Sequence, residues 1–198
     1  MSQMTVILCQ GQSITPYLSA LARLRIRVFR DFPYLYDGEL NYEAEYLSRY
    51  ADNPDSLFVL AFDAENLVGA ATGQPLKDEV DEFRHPFEVH GIPPEGVFYY
   101  GESVLLHAYR GSGVGKRFLA EREAHARRQG FDLAAFCAVE RPTDHPDKPA
   151  GYRPLHAFWN AQGYQRHGEL TTTFAWRDIG ETDESDKPMV FWLKTLTD

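Results

Sequence analysis

The sequence predicts a mixed α/β (α+β) domain in which helices flank one β-sheet. Strand-like apolar runs and amphipathic helix-like runs follow one another in the order β-α-α-β-β-β-α-β-α-β-β. Two apolar runs joined by Asp63-Ala64-Glu65 form a hairpin signal. The run Phe131–Val139 is almost entirely apolar, which is typical of a strand at the centre of a sheet.

The first half of the chain is predicted to hold a strand, two helices and the hairpin. Thr15 precedes Pro16, which pairs a favoured N-cap residue with a proline in the first helical position. The sequence Asn53-Pro54-Asp55 would end the second helix. The expected elements are strand Met4–Cys9, helix Pro16–Phe29, aromatic loop Phe32–Gly38, helix Tyr42–Tyr50, and strands Ser56–Phe62 and Asn66–Gly73.

The second half is predicted to begin with an excursion and one long strand. Gly130 follows an amphipathic run and is a favoured helix C-cap. The expected elements are a short helix within Val80–His90, strand Val97–Leu106, helix Val114–Gln129, strand Phe131–Val139, loop Arg141–Tyr152, helix Leu155–Gln162, strand Leu170–Trp176, the acidic linker Asp178–Asp186 and strand Met189–Leu196.

Composition narrows the class of protein. A chain of 198 residues has the usual length of one domain, so we expect residues 1–198 to form a single domain. Its 43% hydrophobic and 14% aromatic content are globular values, which argues against disorder. The net charge of −9 argues against a nucleic-acid or anionic-membrane partner and favours a cationic one.

Cysteine usage and the N-terminus predict a cytoplasmic protein. Cys9 and Cys137 both lie in apolar strand-like runs, where small buried hydrophobic residues in a reducing compartment are expected. The chain shows neither a signal-peptide pattern nor an apolar run of membrane-spanning length.

The run Arg110-Gly111-Ser112-Gly113-Val114-Gly115-Lys116 is the strongest functional signal. It joins a predicted strand to a predicted helix, and its three glycines leave backbone N–H groups exposed at the helix N-terminus. That arrangement favours an anion such as a phosphate, and Arg110, Lys116 and Arg117 add positive charge. A helix entry that only needs tight turns would explain the same glycines.

The spacing of the glycines separates three nucleotide motifs. A Walker loop needs four residues between its glycines and Ser or Thr after the Lys, whereas Gly111 and Gly115 enclose three residues and Arg117 follows Lys116. The dinucleotide fingerprint G-x-G-x-x-G does not fit either. The run does fit R-x-x-G-x-G, and with the Gly163-Tyr164 turn and the element order it resembles the GNAT superfamily of N-acetyltransferases over Met4–Leu196.

This resemblance implies a mostly antiparallel sheet with a central splayed pair of parallel strands. Acetyl-CoA would then lie in the gap as co-substrate, with its thioester carbonyl polarised by a backbone N–H near Leu105. The residues implied to contact it are Leu105, Leu106, His107, Arg110, Gly111, Ser112, Gly113, Val114, Gly115 and Lys116.

Three residues are candidates for proton transfer. An ammonium has no lone pair, so an amine acceptor needs a base, and Glu102 in an otherwise apolar strand is the best candidate. Burial there would raise its pKa, while pairing with an arginine would give it a structural role instead. Members of the superfamily often carry a tyrosine acid four residues before the glycine of the late turn, but here that position is Trp159. Tyr152 or His156 would replace the tyrosine, or the thiolate would need no acid.

The acceptor is expected to be a small-molecule or peptide amine, bound by loops on the rigid sheet. Tyr34, Tyr36, Asp37 and Tyr99 are the residues predicted to line its pocket. No metal is expected, although Asp144-His145-Pro146-Asp147 offers ligand types. A strand such as Met189–Leu196 could pair across a homodimer. The competing hypothesis is a non-catalytic acyl-CoA-binding sensor or interaction module with the same fold, which the missing tyrosine favours.

Overall fold

The computed structural model describes residues 4–197, and within them the chain forms an eight-stranded mixed sheet flanked by helices. The strands are Met4–Gln10 (β1), Leu57–Asp63 (β2), Asn66–Pro75 (β3), Val97–Tyr99 (β4), Ser103–Leu105 (β5), Leu133–Val139 (β6), Gln165–Trp176 (β7) and Ser185–Thr195 (β8). The α-helices are Leu18–Phe29 (α1), Leu40–Asp52 (α2), Asp81–Val89 (α3), Val114–Arg128 (α4) and His156–Ala161 (α5).

The sheet has the order β1-β2-β3-β4-β6-β8-β7, and β5 pairs with β3 beside this path. β4 and β6 run parallel, and every other strand pair within residues 4–197 is antiparallel. This confirms the predicted fold class, a mostly antiparallel mixed sheet with a central parallel pair.

Alternating side chains bury both faces of the sheet. Leu57 and Val59 of β2 face α4, whereas Phe58 and Leu60 face the opposite side, under α1 and α2. Helix α3 covers that opposite side over β4, β6 and β8. The two faces therefore differ, with α4 and α5 on one and α1, α2 and α3 on the other.

The predicted strand Val97–Leu106 is wrong as one element, because the chain breaks at Tyr100–Glu102 into β4 and β5. β4 pairs with the end of β3 and with β6, while β5 pairs with Gly69–Ala71 of β3. A Cβ on Gly101 would lie 2.7 Å from Thr72 Oγ1 and would overlap the Tyr50 hydroxyl. Tertiary contacts with α2 and β3 thus determine where the strand breaks. The apolar pattern of the segment does not contain this information, so it could not predict the break.

Other boundaries also differ from expectation. A 3₁₀ turn, Gly11–Tyr17, precedes α1, and the Thr15 hydroxyl donates to Gln12 O at 2.7 Å instead of capping the helix. β7 begins five residues before Leu170, with a register shift between His167 and Thr171. β8 starts at Ser185, inside the predicted linker. Their polar, partly exposed residues weaken the apolar signal on which strand prediction depends. β8 lies between β6 and β7, so the expected pairing of Met189–Leu196 across a homodimer is wrong because both edges of this strand are already paired.

Candidate active site

The parallel strands β4 and β6 separate where the chain breaks. The last backbone hydrogen bond between them runs from Tyr100 N to Ala135 O at 2.8 Å. Beyond it, and within residues 4–197, β5 pairs with β3 alone, while β6 continues along β8 to Val139. A gap therefore opens between β5 and the second half of β6.

Backbone groups of β5 point into this gap. Thr72 N donates to Glu102 O at 3.0 Å, and Leu106 N donates to Val68 O at 2.9 Å. Since backbone groups alternate between the two sides of a strand, the N–H and C=O of Ser103 and Leu105 are directed away from β3. The gap is thus lined by hydrogen-bonding backbone, including the Leu105 N–H, whereas the Leu106 N–H is engaged by β3.

The glycine-rich run lies at the N-terminus of α4, next to the mouth of the gap. Gly111 and Gly113 have φ values of 79° and 89°, and a Cβ on either would meet no atom within 4 Å. These left-handed conformations favour glycine, and the open space leaves the backbone bare. The first helical hydrogen bond runs from Arg117 N to Gly113 O at 3.0 Å. The preceding N–H groups have no acceptor within the helix, and such groups at a helix N-terminus favour an anion.

The three basic side chains near the start of α4 differ in whether they pair with another residue of the chain. Arg110 donates through Nε to Leu105 O at 3.3 Å and lies 3.8 Å from Asp31 Oδ2. Arg117 pairs with Glu121 at 2.7 Å. Lys116 is exposed and has no ion-pair partner within residues 4–197. Bare N–H groups, an open cradle and a free lysine fit the pyrophosphate of CoA, with the strand gap available for its pantetheine arm.

Glu102 lies on the face of the sheet opposite to α4, between α1 and α2. Its carboxylate is buried, and Oε2 forms an ion pair with Arg25 Nη1 at 2.6 Å. The Tyr46 hydroxyl donates to the same oxygen at 3.2 Å. Arg25 also binds the buried Glu43. One arginine is thus shared by two carboxylates, and this is the arginine pairing that was expected for a structural role of Glu102. Oε1 of Glu102 makes no hydrogen bond within residues 4–197.

The late helix α5 brings aromatic rings to the other face. Trp159 packs edge-on against Phe136 and Trp192, with ring centroids 5.0 Å apart in both cases. His156 is exposed, and its ring packs at a tilt against Trp192, with the ring centroids 5.1 Å apart. Tyr152 contacts Phe32, and burial raises the pKa of its hydroxyl while the nearby Arg110 opposes that rise. These contacts agree with a packing role for Trp159.

The predicted acceptor residues fall into two groups. Tyr99 lies with its hydroxyl 3.1 Å from Cys137 Sγ on β6, and the Tyr34 hydroxyl bonds the backbone of Val139 on the same strand. Tyr36 is turned toward Glu43, and burial raises its pKa. Asp37 forms an ion pair with Arg177 at 3.0 Å. The fold therefore brings Tyr34 and Tyr99 to β6 beside the gap, whereas Tyr36 lies at the Arg25–Glu43 ion pair and Asp37 lies at Arg177.

Sequence reasoning missed the residues that surround Glu102. Arg25 occupies a buried position of α1, and Tyr46 and Tyr50 stand four residues apart on α2. Their spacing was a usable signal, since residues at i and i+4 share one helix face. Glu79 was also missed; it accepts a hydrogen bond from Tyr50, and burial raises its pKa.

Two kinds of feature are absent from the described part of the chain, residues 4–197. No group of three or more His, Cys, Asp or Glu side chains is placed to hold a metal ion, at Asp144–Asp147 or elsewhere. No helix there has both the length and the apolar character needed to cross a membrane.

A sheet split around a strand gap, with a glycine-rich helix start at the mouth, defines the class of acyl-CoA-dependent transferase domains that the loop motif resembles. The sequence matches the acetyltransferase (GNAT) family over residues 21–164, which is most of the chain. The chain belongs to the GNAT acetyltransferase family. No curated protein matches it in sequence.

Solved structures share this fold. The ribosomal-protein-alanine N-acetyltransferase of Brucella melitensis is 18% identical, with a TM-score of 0.60 over 96% of this chain and 99% of that one. The yncA protein of Salmonella typhimurium, solved with its cofactor acetyl-CoA, is 12% identical, with a TM-score of 0.61 over 98% and 95%. An aminoglycoside 6'-N-acetyltransferase complexed with coenzyme A is 17% identical, with a TM-score of 0.57 over 97% and 98%. At these identities the likeness concerns the fold alone.

Proposed function

We propose that this protein, as one domain over residues 1–198, transfers the acetyl group of acetyl-CoA to a primary amine by direct attack in a ternary complex. The observation that carries the proposal is the strand gap, in which the Leu105 N–H is directed away from β3 and lies a few residues before the open backbone of Gly111 and Gly113. The thioester supplies the acetyl group. The chain positions it by backbone contacts and polarises its carbonyl through a strand N–H.

Glu102 is the proposed proton acceptor, reached through Tyr46. The Tyr46 hydroxyl donates to Glu102 Oε2, so it can pass a proton inward while taking one from the amine or a bridging water. Arg25 is shared by Glu102 and Glu43. Protonation of Glu102 therefore leaves Arg25 still compensated by Glu43, which avoids a buried unpaired charge.

No general acid is required in this scheme. Trp159 cannot donate a proton usefully, because its indole N–H is only a hydrogen-bond donor. A thiol of pKa about 8.5 is a tolerable leaving group near neutral pH. Tyr152 and His156 stay candidate acids, and a homodimer stays a prediction.

The test combines CoA binding with turnover. Gly113→Asp places a side chain and a negative charge in the cradle, and we expect calorimetric titration to show a loss of CoA affinity of at least about tenfold. Gly130→Asp, another glycine of positive φ with open space around it, is the control for backbone strain. Thiol release from acetyl-CoA with a panel of amines measures transfer. CoA binding without thiol release for any amine would favour a sensor instead.

A further inference from the structure

A cavity of about 390 Å³ lies on the α2 and α3 side of the sheet. Its walls include four aromatic rings, those of Tyr46, Tyr50, Phe83 and Phe174. Phe83 is held between Tyr99 at 5.1 Å and Phe174 at 5.3 Å. The volume falls in the range of small-ligand sites, about 300–1,000 Å³.

The inner end of the cavity reaches the point where the strands part. Tyr50 lines the cavity, and its hydroxyl occupies the space that a Cβ of Gly101 would need. Gly101 directly follows Tyr100, the last residue bonded to β6. The other lining tyrosine, Tyr46, donates to Glu102. The cavity is therefore next to the proposed base and the apex of the gap.

Carboxylates line the cavity from its inner end to its rim. Glu79 is buried at the inner end with Tyr50, whereas Asp52, Asp55 and Asp78 are exposed. Asp52 accepts a hydrogen bond from the Gln12 side-chain amide at 2.6 Å, and Asp78 accepts one from the Asn53 side-chain amide at 3.0 Å. Both amide donors are neutral. Within residues 4–197, none of the four forms an ion pair with a lysine or arginine.

The cations that line the cavity compensate the charge of these carboxylates only in part. Arg49 and Lys77 border the cavity, but the Arg49 guanidinium lies over the Tyr46 ring at 5.5 Å. Four carboxylates thus face two cations in a cavity walled by aromatic rings. Such walls attract ammonium groups electrostatically and pack against the methylenes between them.

We propose that this cavity binds the acceptor, and that the acceptor is a linear amine with at least two ammonium groups. The reacting amine lies at the inner end, in contact with Glu79 and Tyr50, and the second ammonium lies at the rim among Asp52, Asp55 and Asp78. This inference rests on the proposed acetyl transfer and names its substrate class.

A matched pair of amines tests the second ammonium. With saturating acetyl-CoA, we expect kcat/KM for 1,4-diaminobutane to exceed that for 1-aminobutane by about tenfold or more. Asp78→Asn should raise KM for the diamine about threefold, the size of an exposed ion pair, and leave the monoamine unchanged. Equal kcat/KM values for the two amines in the parent protein would overturn the proposal.

Glu79→Gln tests the inner end. It should lower kcat/KM for both amines by at least about tenfold, with CoA affinity unchanged. Glu88→Gln makes the same charge change on the exposed side of α3 and should have no effect. An effect no larger than that of Glu88→Gln would refute the role of Glu79. Should Glu79→Gln fail to fold, Asp78→Asn with the amine pair decides the question.

Acetyl transfer and diamine binding can fail separately. Acetylation of both amines at equal rates would exclude the cavity as a diamine site while acetyl transfer stands. If no amine releases CoA, calorimetric titration of the parent protein with 1,4-diaminobutane still tests the cavity. Binding that Asp78→Asn and Glu79→Gln weaken would support it, and no binding would overturn it.

Discussion

At the scale of single residues, Glu102 joins two helices to the strand break, because it contacts Arg25 of α1 and Tyr46 of α2. If it is the base, Glu102→Gln should lower kcat by about 10²–10⁴-fold and remove the acidic limb of the pH–rate profile. CoA affinity should be nearly intact. Glu95→Gln, on an exposed turn, is the control. An unchanged acidic limb would assign the limb to another group or to the amine itself.

Trp159 is the residue at which the chain departs from the family motif. Its ring fills space between Phe136 and Trp192. Trp159→Phe should keep kcat within about tenfold and cost about 1–2 kcal/mol of unfolding free energy, measured by urea denaturation. Trp159→Tyr should not raise kcat markedly. A large gain in kcat at unchanged CoA affinity would show instead that thiolate protonation limits the reaction.

At the scale of elements, the break between β4 and β5 is the feature that most shapes the site. Gly101→Ala would place a methyl group against Thr72 Oγ1 and the hydroxyl of Tyr50, which is bonded to Glu79. We expect a loss of about 1–3 kcal/mol in unfolding free energy, as for overpacking, together with reduced amine turnover.

A matched substitution separates this effect from the general cost of replacing glycine. Gly96 has ordinary space around it, with Asp132 Oδ2 at 3.9 Å as the nearest atom. Gly96→Ala should therefore change the unfolding free energy by no more than about 0.5 kcal/mol. Equal effects of the two substitutions would mean that the packing of Tyr50 against Gly101 does not hold the break in place.

At the scale of the whole molecule, stability should depend on the buried His125. Burial, and then the charge of Arg128, lower its pKa from the ordinary value of 6.5. Below that value the unfolded chain binds a proton that the folded chain excludes. The contribution to stability is present above about pH 6.5 and is lost as the pH falls, by up to about 1.4 kcal/mol per pH unit, until the folded-state pKa is reached.

Urea denaturation of the parent and of His125→Gln at pH 7.5 and 5.5 measures this slope. The parent should lose more unfolding free energy than the variant between the two pH values. His85→Gln, at an exposed position on α3, should keep the parent's slope. The same slope in the parent and in His125→Gln would show that other groups set the acid sensitivity.

Features encoded in short stretches of sequence could be predicted. The hairpin, the central strand and the glycine-rich helix start each depend on neighbouring residues. The spacing of apolar residues and the turn-forming residues were therefore sufficient to predict them. The resemblance carried by the family motif at Arg110–Gly115 added the central parallel pair, which the structure confirms. The binding of CoA by this loop stays a prediction. Helix and strand ends were less accurate, as at Thr15 and in β7, because partners distant in sequence decide them.

Only the tertiary structure decided how the chemical groups combine. Arg25, Glu43 and Glu102 lie far apart in sequence, and their ion pairs form because α1 and α2 pack on the face of β5. The cavity likewise joins α2, α3 and the ends of β3 and β7. By itself, the sequence determined the fold class and the glycine-rich helix start, because apolar periodicity, turn residues and the family motif are all recorded in short stretches of sequence. The burial of charges and the shape of a cavity depend on packing between distant segments, which no local pattern records.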